Sequence, residues 1–323
     1  MVSLFTEVKK TRPARFFGEA VAWITRWTTR LRPSQAVRCR RCGRDLFHAP
    51  KYRQARICDF CGYNFPLSAR ARIQALADSA TFVEFTPARR AIRPPRTFYL
   101  RPGYRASRQR EAIVVGTAQI AQQAVVIAAF DFRVFGGSMS VAVGEAMARS
   151  FEHAARQQLP LVAIIASGGV RIQEGLSALL QMAKTVVAAQ EFQRAHRPFI
   201  AVLTNPTTGG VYASFASLAD ILLAEPGALI GFAGPRIAQV ATGLTLPAGS
   251  HTAESALQNG MLDAIVPREE LRERIAKLLA LASPPSPSLP SSPILSNCTA
   301  TDCSAMIRPS WVDWHDSRIS RLL

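Results

Sequence analysis

Two apolar runs in this chain end on adjacent glycines and open directly into helical spacing: "IIASGGVRIQEG" (Ile164 to Gly175) and "LTNPTTGGVYASF" (Leu203 to Phe215). A short, continuously apolar run reads as a strand buried on both faces. Glycine at its end frees the backbone to turn sharply into a helix. "FGGSMSVAVGEAMARSFEHAARQQ" makes a similar corner earlier, with Val143, Met147, Phe151 and Ala154 on one helical face. A chain that goes strand, turn, helix this often must lay down parallel strands joined by crossovers, so the class is α/β.

The remaining texture fits that class. "AIVVGTAQI" and "QAVVIAAFDF" predict two strands paired around Ala121, Gln122 and Gln123, and "PLVAIIAS" and "PFIAVLTN" predict buried strands. "DILLAEPGALIGFAG" predicts two short strands around Pro226 and Gly227. "TAESALQNGM" and "EELRERIAKLLALA" predict helices, and "PLSARARIQALADSATFVEF" an amphipathic helix followed by a short strand. No apolar run reaches the ~18 residues that span a bilayer, so no membrane span is expected.

A glycine pair between strand and helix leaves backbone N–H groups bare at a helix N-terminus. Two such donors converging on one oxygen make an oxyanion hole; a phosphate cradle is the competing use. Neither pair completes a P-loop or G-x-G-x-x-G pattern. Either pair alone reads as tight packing, and both together read as a cavity. Side chains offer less. His48, His153, His196, His251 and His315 are dispersed, with none next to a glycine pair. Ser167 has no assignable base and reads as a turn residue, and Arg171 with Glu174 as a structural i,i+3 pair.

Four of the six cysteines form "CRRC" (Cys39, Cys42) and "CDFC" (Cys58, Cys61), each followed by glycine (Gly43, Gly62). Two such knuckles place four thiolates tetrahedrally around Zn²⁺, and an all-sulfur set leaves no open position, so the metal is structural. Disulfides would need an oxidising compartment that nothing in the sequence announces, and a redox motif would not come as a matched pair. Cys298 and Cys303 read as free thiols in the tail.

Charge is lopsided. Residues 1–110 carry 24 Lys+Arg against 6 Asp+Glu, and residues 111–323 carry 15 against 16. A neutral body is joined to a basic front that suits an anionic partner such as nucleic acid, an acidic subunit or a phosphate-rich substrate. The expected organisation is a basic N-terminal segment over 1–36, which reads as a docking helix, a four-cysteine zinc module over 37–65, a helix and Arg/Pro-rich linker over 66–110, the α/β domain over 111–283, and a Pro/Ser-rich, disordered tail over 284–323.

Taken together, "CRRCG…CDFCGYNFPLSARARI", "DFRVFGGSMSVAVGE", "ASGGVRIQEG…LLQMAK", "PTTGGVYASFASLADILLAEPGALIGFAGPR" and "GMLDAIVP" resemble the β subunit of the carboxyltransferase of bacterial and plastid acetyl-CoA carboxylase. The resemblance covers about residues 37–85 and 111–280. It implies a crotonase-like fold of repeated ββα units and transfer of a carboxyl group from carboxybiotin on a carrier protein to acetyl-CoA, giving malonyl-CoA for fatty acid synthesis. It also implies a partner α subunit in an α2β2 heterotetramer, a biotin carboxyl carrier protein, a biotin carboxylase, and a setting in the bacterial cytoplasm or, alternatively, the plastid stroma. In the family, backbone amides stabilise the thioester enolate and biotin accepts the proton, which accounts for glycines where a side-chain base would be expected. Carried over by motif, Gly209, Gly210, Gly168 and Gly169 take the catalytic role, and Gly136, Gly137, Ser167, Val170 and Thr208 line the acyl-CoA pocket. Cys39, Cys42, Cys58 and Cys61 hold the zinc.

The chain departs from the family pattern at Ser140, at Val170 (usually Ala), in the 86–110 stretch and in the tail. A bulkier Val170 is expected to alter substrate choice or turnover. Two other functions fit parts of the chain. The basic zinc module, with Phe47, Tyr52, Phe60 and Tyr63 among arginines, suits nucleic acid. That use would leave the glycine turns idle. A non-catalytic scaffold subunit is the third reading, and the retention of both glycine pairs argues against it.

Overall fold

The computed structural model describes residues 37–85, 111–234, 238–240, 243, 247 and 249–282. The N-terminal segment 1–36, the 86–110 linker and the Pro/Ser tail with Cys298 and Cys303 lie outside the described residues.

The body is one mixed sheet of eight strands: β1 (Val83–Glu84), β2 (Ile113–Ile120), β3 (Gln123–Phe130), β4 (Leu161–Ser167), β5 (Phe199–Thr208), β6 (Ile221–Ala224), β7 (Ile230–Gly231) and β8 (Ala264–Ile265). The order is β1-β2-β3-β4-β5-β6-β8, with β7 added beside the end of β5. β1, β2 and β3 pair antiparallel, and from β3 onward every pairing is parallel. The predicted hairpin turns at Ala121 and Gln122, both at positive φ. The Asp78 carboxylate accepts both of their amides, at 3.0 and 2.8 Å.

Because the central strands are covered on both sides, they read as continuous apolar runs rather than alternating ones. Val126, Ala128, Phe130, Ala163, Ile165, Ala201 and Leu203 face one layer with α3 (Val141–Gln157), whose Val143, Met147, Phe151 and Ala154 are fully buried there. Val125, Ile127, Ala129, Val162, Ile164, Ile200 and Val202 face the opposite layer. There α2 (Ala69–Leu76) contributes Ile73 and Leu76, and α7 (Leu271–Ala282) contributes Ile275 and Leu279. Helix α4 (Leu176–Gln193) follows β4 and packs along α3. The short helices are α1 (Pro50–Ala55), α5 (Gly209–Tyr212) and α6 (Ala253–Gln258).

One boundary differs from the sequence expectation. β5 does not stop at Asn205 but runs to Thr208. Thr207 and Thr208 are carried on by pairing with β7 (Thr207 with Ile230, Thr208 with Gly231), and Thr207 also meets Ser167 on the other side. The second glycine pair therefore starts one residue beyond a strand that is hydrogen-bonded on both edges. Among the described residues, no helix is long and apolar enough to cross a membrane.

Candidate active site and metal centre

Three glycine turns meet at the C-terminal edge of the parallel strands. Gly136 and Gly137 follow β3, Gly168 and Gly169 follow β4, and Gly209 and Gly210 follow β5. The Gly168 amide donates to the Gly136 carbonyl at 2.9 Å. A Cβ on Gly137, which sits at φ +65, would overlap the carbonyl oxygen of Ala166. A Cβ on Gly209 would lie 2.9 Å from the Cα of Gly169, and one on Gly169 would lie 3.2 Å from the Cα of Gly209. The two glycine pairs of the sequence thus touch backbone to backbone, and neither contact admits a side chain.

That contact separates the amides. Gly168 donates to Gly136, Gly169 to the Ser167 hydroxyl at 3.1 Å, and Gly209 to the Phe232 carbonyl at 2.8 Å. Of the four amides expected to serve an oxyanion, the structure commits these three internally. The Gly210 N–H, in the first turn of α5, has no acceptor among the described residues. Its side-chain position is closed: a Cβ there would lie 2.5 Å from Val170 Cγ2 and 2.7 Å from Met182 Sδ. Val170 therefore packs beneath Gly210.

The hydroxyls also turn inward. Ser167 is fully buried and holds the Gly169 amide, and Thr208 donates to the Ser167 carbonyl at 3.4 Å. Both shape the turn. Beneath them lies Arg171, 1% exposed, whose guanidinium reaches Glu111 at 3.0 Å, Glu174 at 3.3 Å and the Ser138 hydroxyl at 3.2 Å, and stacks 4.5 Å from the centroid of Phe135. Glu174 also accepts the Val141 amide at 2.8 Å at the start of α3. The i,i+3 pair expected from sequence is thus one part of a buried network tying the Gly168 turn to the Gly136 turn. Glu111 is invisible to sequence reasoning, because it lies 60 residues from Arg171. His251 escapes it for the same reason. Its ring lies 2.9 Å from a Cβ built on Gly231, the register partner of Thr208.

The four-cysteine module sits on the same edge. Its two knuckles repeat one hydrogen-bond pattern: Cys39 N–H to Arg44 O and Gly43 N–H to Cys39 O, then Cys58 N–H to Tyr63 O and Gly62 N–H to Cys58 O. All four Sγ atoms lie within 4.8 Å of one another, with Cys39 to Cys61 at 3.6 Å and Cys42 to Cys58 at 3.7 Å. Four sulfurs at about 2.3 Å from one tetrahedral ion sit about 3.8 Å apart, so the donor set fits a metal of zinc's size. As free thiols they conflict: burial, with the neighbouring thiols adding to it, pushes Cys61 up to about 12. Burial also opposes ionisation of Cys39, but the Cys42 and Arg41 amides and the adjoining thiols outweigh it and bring that group down to about 7. A divalent cation removes the conflict by holding all four as thiolates.

A buried carboxylate joins module to body. Glu225, fully buried just after β6, is gripped by Arg72 of α2 and by Arg268, whose Nε and Nη2 reach it at 2.7 and 2.8 Å. Arg268 also donates to the Ala55 and Arg56 carbonyls at the end of α1, at 2.8 and 3.3 Å. Asn64 adds a bond to the Pro226 carbonyl at 3.2 Å. Burial works against the Glu225 charge, yet the two guanidiniums outweigh it and hold the carboxyl at about 2.

A mixed α/β sheet with glycine turns clustered at one strand edge defines the class: the carboxyl transferase domain family matches residues 66–310. Among curated relatives, the acetyl-coenzyme A carboxylase carboxyl transferase subunit beta of Protochlamydia amoebophila is 41% identical over 254 residues, covering 75% of this chain and 82% of the relative. Its counterpart from Carboxydothermus hydrogenoformans is 44% identical over 253 residues, covering 75% and 88%. The chain belongs to the acetyl-coenzyme A carboxylase carboxyl transferase subunit beta family. Among solved structures, transcarboxylase 12S with methylmalonyl-coenzyme A bound aligns at a TM-score of 0.59 and 25% identity, over 66% of this chain and 41% of that larger one. The Pseudomonas malonate decarboxylase MdcD-MdcE heterodimer aligns at 0.54 and 26% identity, over 69% and 90%.

Proposed function

We propose that this chain is the β component of a biotin-dependent carboxyltransferase that moves a carboxyl group from carboxybiotin to acetyl-CoA. The observation that carries the mechanism is the Gly210 N–H, which has no acceptor among the described residues and stands beside the backbone contact of Gly169 with Gly209. As the thioester becomes an enolate, negative charge grows on its oxygen, and a fixed amide in a site closed to side chains stabilises that charge without reorganising. Gly168, Gly169 and Gly209 then act as positioning elements whose committed amides hold the turn rigid. Ser167, Thr208, Gly136 and Gly137 frame the acyl pocket, and Val170 sets its floor through Gly210.

The same reading extends to the rest of the chain. The domain organisation proposed is a zinc module over 37–65 and a carboxyltransferase body over 111–283. Hairpin β2–β3 with α3, and β6–β7 with α6, support reading the sheet as crotonase-like ββα units. Cys39, Cys42, Cys58 and Cys61 would hold one Zn²⁺, which supplies a structural cross-link when bound. A partner α subunit completes the enzyme, and a biotin carboxyl carrier protein with its carboxylase delivers the carboxyl group. Support for the α partner comes from exposed apolar side chains: Ile172 in the turn before α4, and Leu176, Leu179, Leu180 and Val187 along α4. A bacterial cytoplasm, where the CoA thioester diffuses freely, fits this work.

The test is biotin-stimulated decarboxylation of malonyl-CoA by the assembled α and β subunits, comparing Gly210→Ala with Gly210→Pro. Alanine adds a Cβ but keeps the N–H, whereas proline removes the donor. Provided that both variants assemble, proline should lower kcat by a further factor of about 10²–10³. Equal activity of the two would remove Gly210 from the mechanism.

A further inference from the structure

Between the cysteine module and the sheet lies a cavity of about 630 Å³, apart from the glycine turns. Its walls carry Arg38 and Arg40 from the first knuckle, Arg56 just past α1, and Arg133 just past β3, together with the rings of Tyr52 and Phe65. No carboxylate is among the residues lining it. We propose that this cavity binds the phosphate-bearing end of a nucleoside polyphosphate.

Two of the arginines are already oriented. Asp131 is fully buried and turned toward Arg133, accepting from its Nε at 2.9 Å and its Nη2 at 2.7 Å, while its second oxygen also takes the Ala69 amide at 3.3 Å. The Nη1 edge of Arg133 is left without an acceptor among the described residues. The Arg56 guanidinium carbon sits over Tyr52, 4.8 Å from the ring centroid, and Tyr52 meets Phe65 edge-on at 5.0 Å. A planar guanidinium fork matches phosphate oxygens in pairs, and four of them around a concave wall focus a positive potential on whatever enters. Arginine over an aromatic ring gives a flat surface for a base. The volume falls within the range of about 300–1,000 Å³ usual for small-molecule sites, more than a lone phosphate requires.

Placement gives the site its meaning. Arg133 and the Gly136–Gly137 turn stand on one connection, from the end of β3 into α3, so cavity and glycine cluster share the C-terminal edge of the sheet. Two sources supply this chemistry: the phosphorylated nucleotide end of the CoA thioester, or a free nucleotide. The first rests on the proposed carboxyltransferase function, whereas the second does not.

The experiment is carried out on the assembled complex, with wild type, Arg38→Gln/Arg40→Gln and, as an independent variant, Arg56→Gln, each checked for zinc content and circular dichroism. Calorimetric titration with adenosine 3′,5′-bisphosphate should give binding to wild type that weakens about 10- to 100-fold in the variants, the loss of one or two charge-assisted bonds. If CoA is the source, the ratio of kcat/KM for malonyl-CoA over malonyl-pantetheine falls by the same factor. If ADP binds as tightly as the bisphosphate and that ratio holds, the site stands and takes a free nucleotide. The proposal is overturned if neither nucleotide binds, if the variants bind undiminished, or if a short RNA binds in strong preference to both. A wild type that turns over neither thioester refutes the carboxyltransferase function, and the titration then decides the cavity's role independently.

Discussion

The cysteine module and the parallel-sheet body sit side by side but cohere by different means. The body has an apolar layer on each face of its sheet, with Phe151, Phe192, Phe199 and Phe215 in one and Ile127, Ile164, Ile200 and Leu223 in the other. The module has one small buried cluster of its own, Cys39, Leu46, Ala49 and Cys58. Two of those four are proposed metal ligands. A segment this short cannot bury enough surface to fold alone, and the proposed metal would supply the missing cohesion. The body needs no such help, and the two meet where Arg72 and Arg268 enclose Glu225.

Metal removal should break the comparison most strongly. Stripping the proposed zinc with a chelator, or replacing Cys58 by Ser, is expected to unfold residues 37–65 while the sheet persists. Structural zinc sites are worth about 10–16 kcal/mol at neutral pH. Hydrogen exchange resolved by segment checks this: fast exchange in the module with protected β3, β4 and β5 is the expected pattern, and uniform loss of protection would show that the body depends on the metal too.

The joint comes next. Glu225→Gln leaves two buried guanidiniums without a counter-charge, a change that costs roughly 3–5 kcal/mol. Both thermal stability and module docking should fall together, as read by melting temperature and by protease cutting near Ala55. The wild-type joint also carries a pH signature. Because the folded carboxyl is held at about 2 against an ordinary value of 4.5, its stabilisation is complete above about pH 4.5 and is lost as pH falls from there through about 2. An acid titration in which Glu225→Gln lacks that component would confirm the source.

Within the body the glycines grade the effects further. Gly137→Ala combines a positive φ with overlap on the Ala166 carbonyl and should cost about 2–4 kcal/mol. Gly168→Ala should cost about 0.5 kcal/mol or less, since its φ is ordinary and its new Cβ would find only the Gly136 carbonyl, at 3.5 Å. Urea denaturation of the two variants measures the difference, and equal losses would mean that the glycine turns are not packed against one another.

Much of this is legible in the residue order alone. Apolar runs such as "PLVAIIAS" announce buried parallel strands because both faces must be apolar, and the helix stripe of Val143, Met147, Phe151 and Ala154 announces the layer that covers them. The cysteine spacing announces four sulfurs in one place. The extension of β5 to Thr208 is hidden, since its cause is a partner strand more than twenty residues on. The same is true of Arg171, whose strongest partner, Glu111, belongs to a distant stretch.

The sequence by itself determined which segments form the central strands and the long helices, where the chain turns on glycine, and that four thiols converge, because those properties follow from local spacing and backbone freedom. Only the tertiary structure decided which glycine amide is left without an acceptor among the described residues, that Glu225 is the charge joining module to body, and that arginines from three separate stretches of the chain line one cavity. Each of those depends on which distant atoms fill the space around a group, and a hydrogen bond or ion pair is committed only when the second partner arrives.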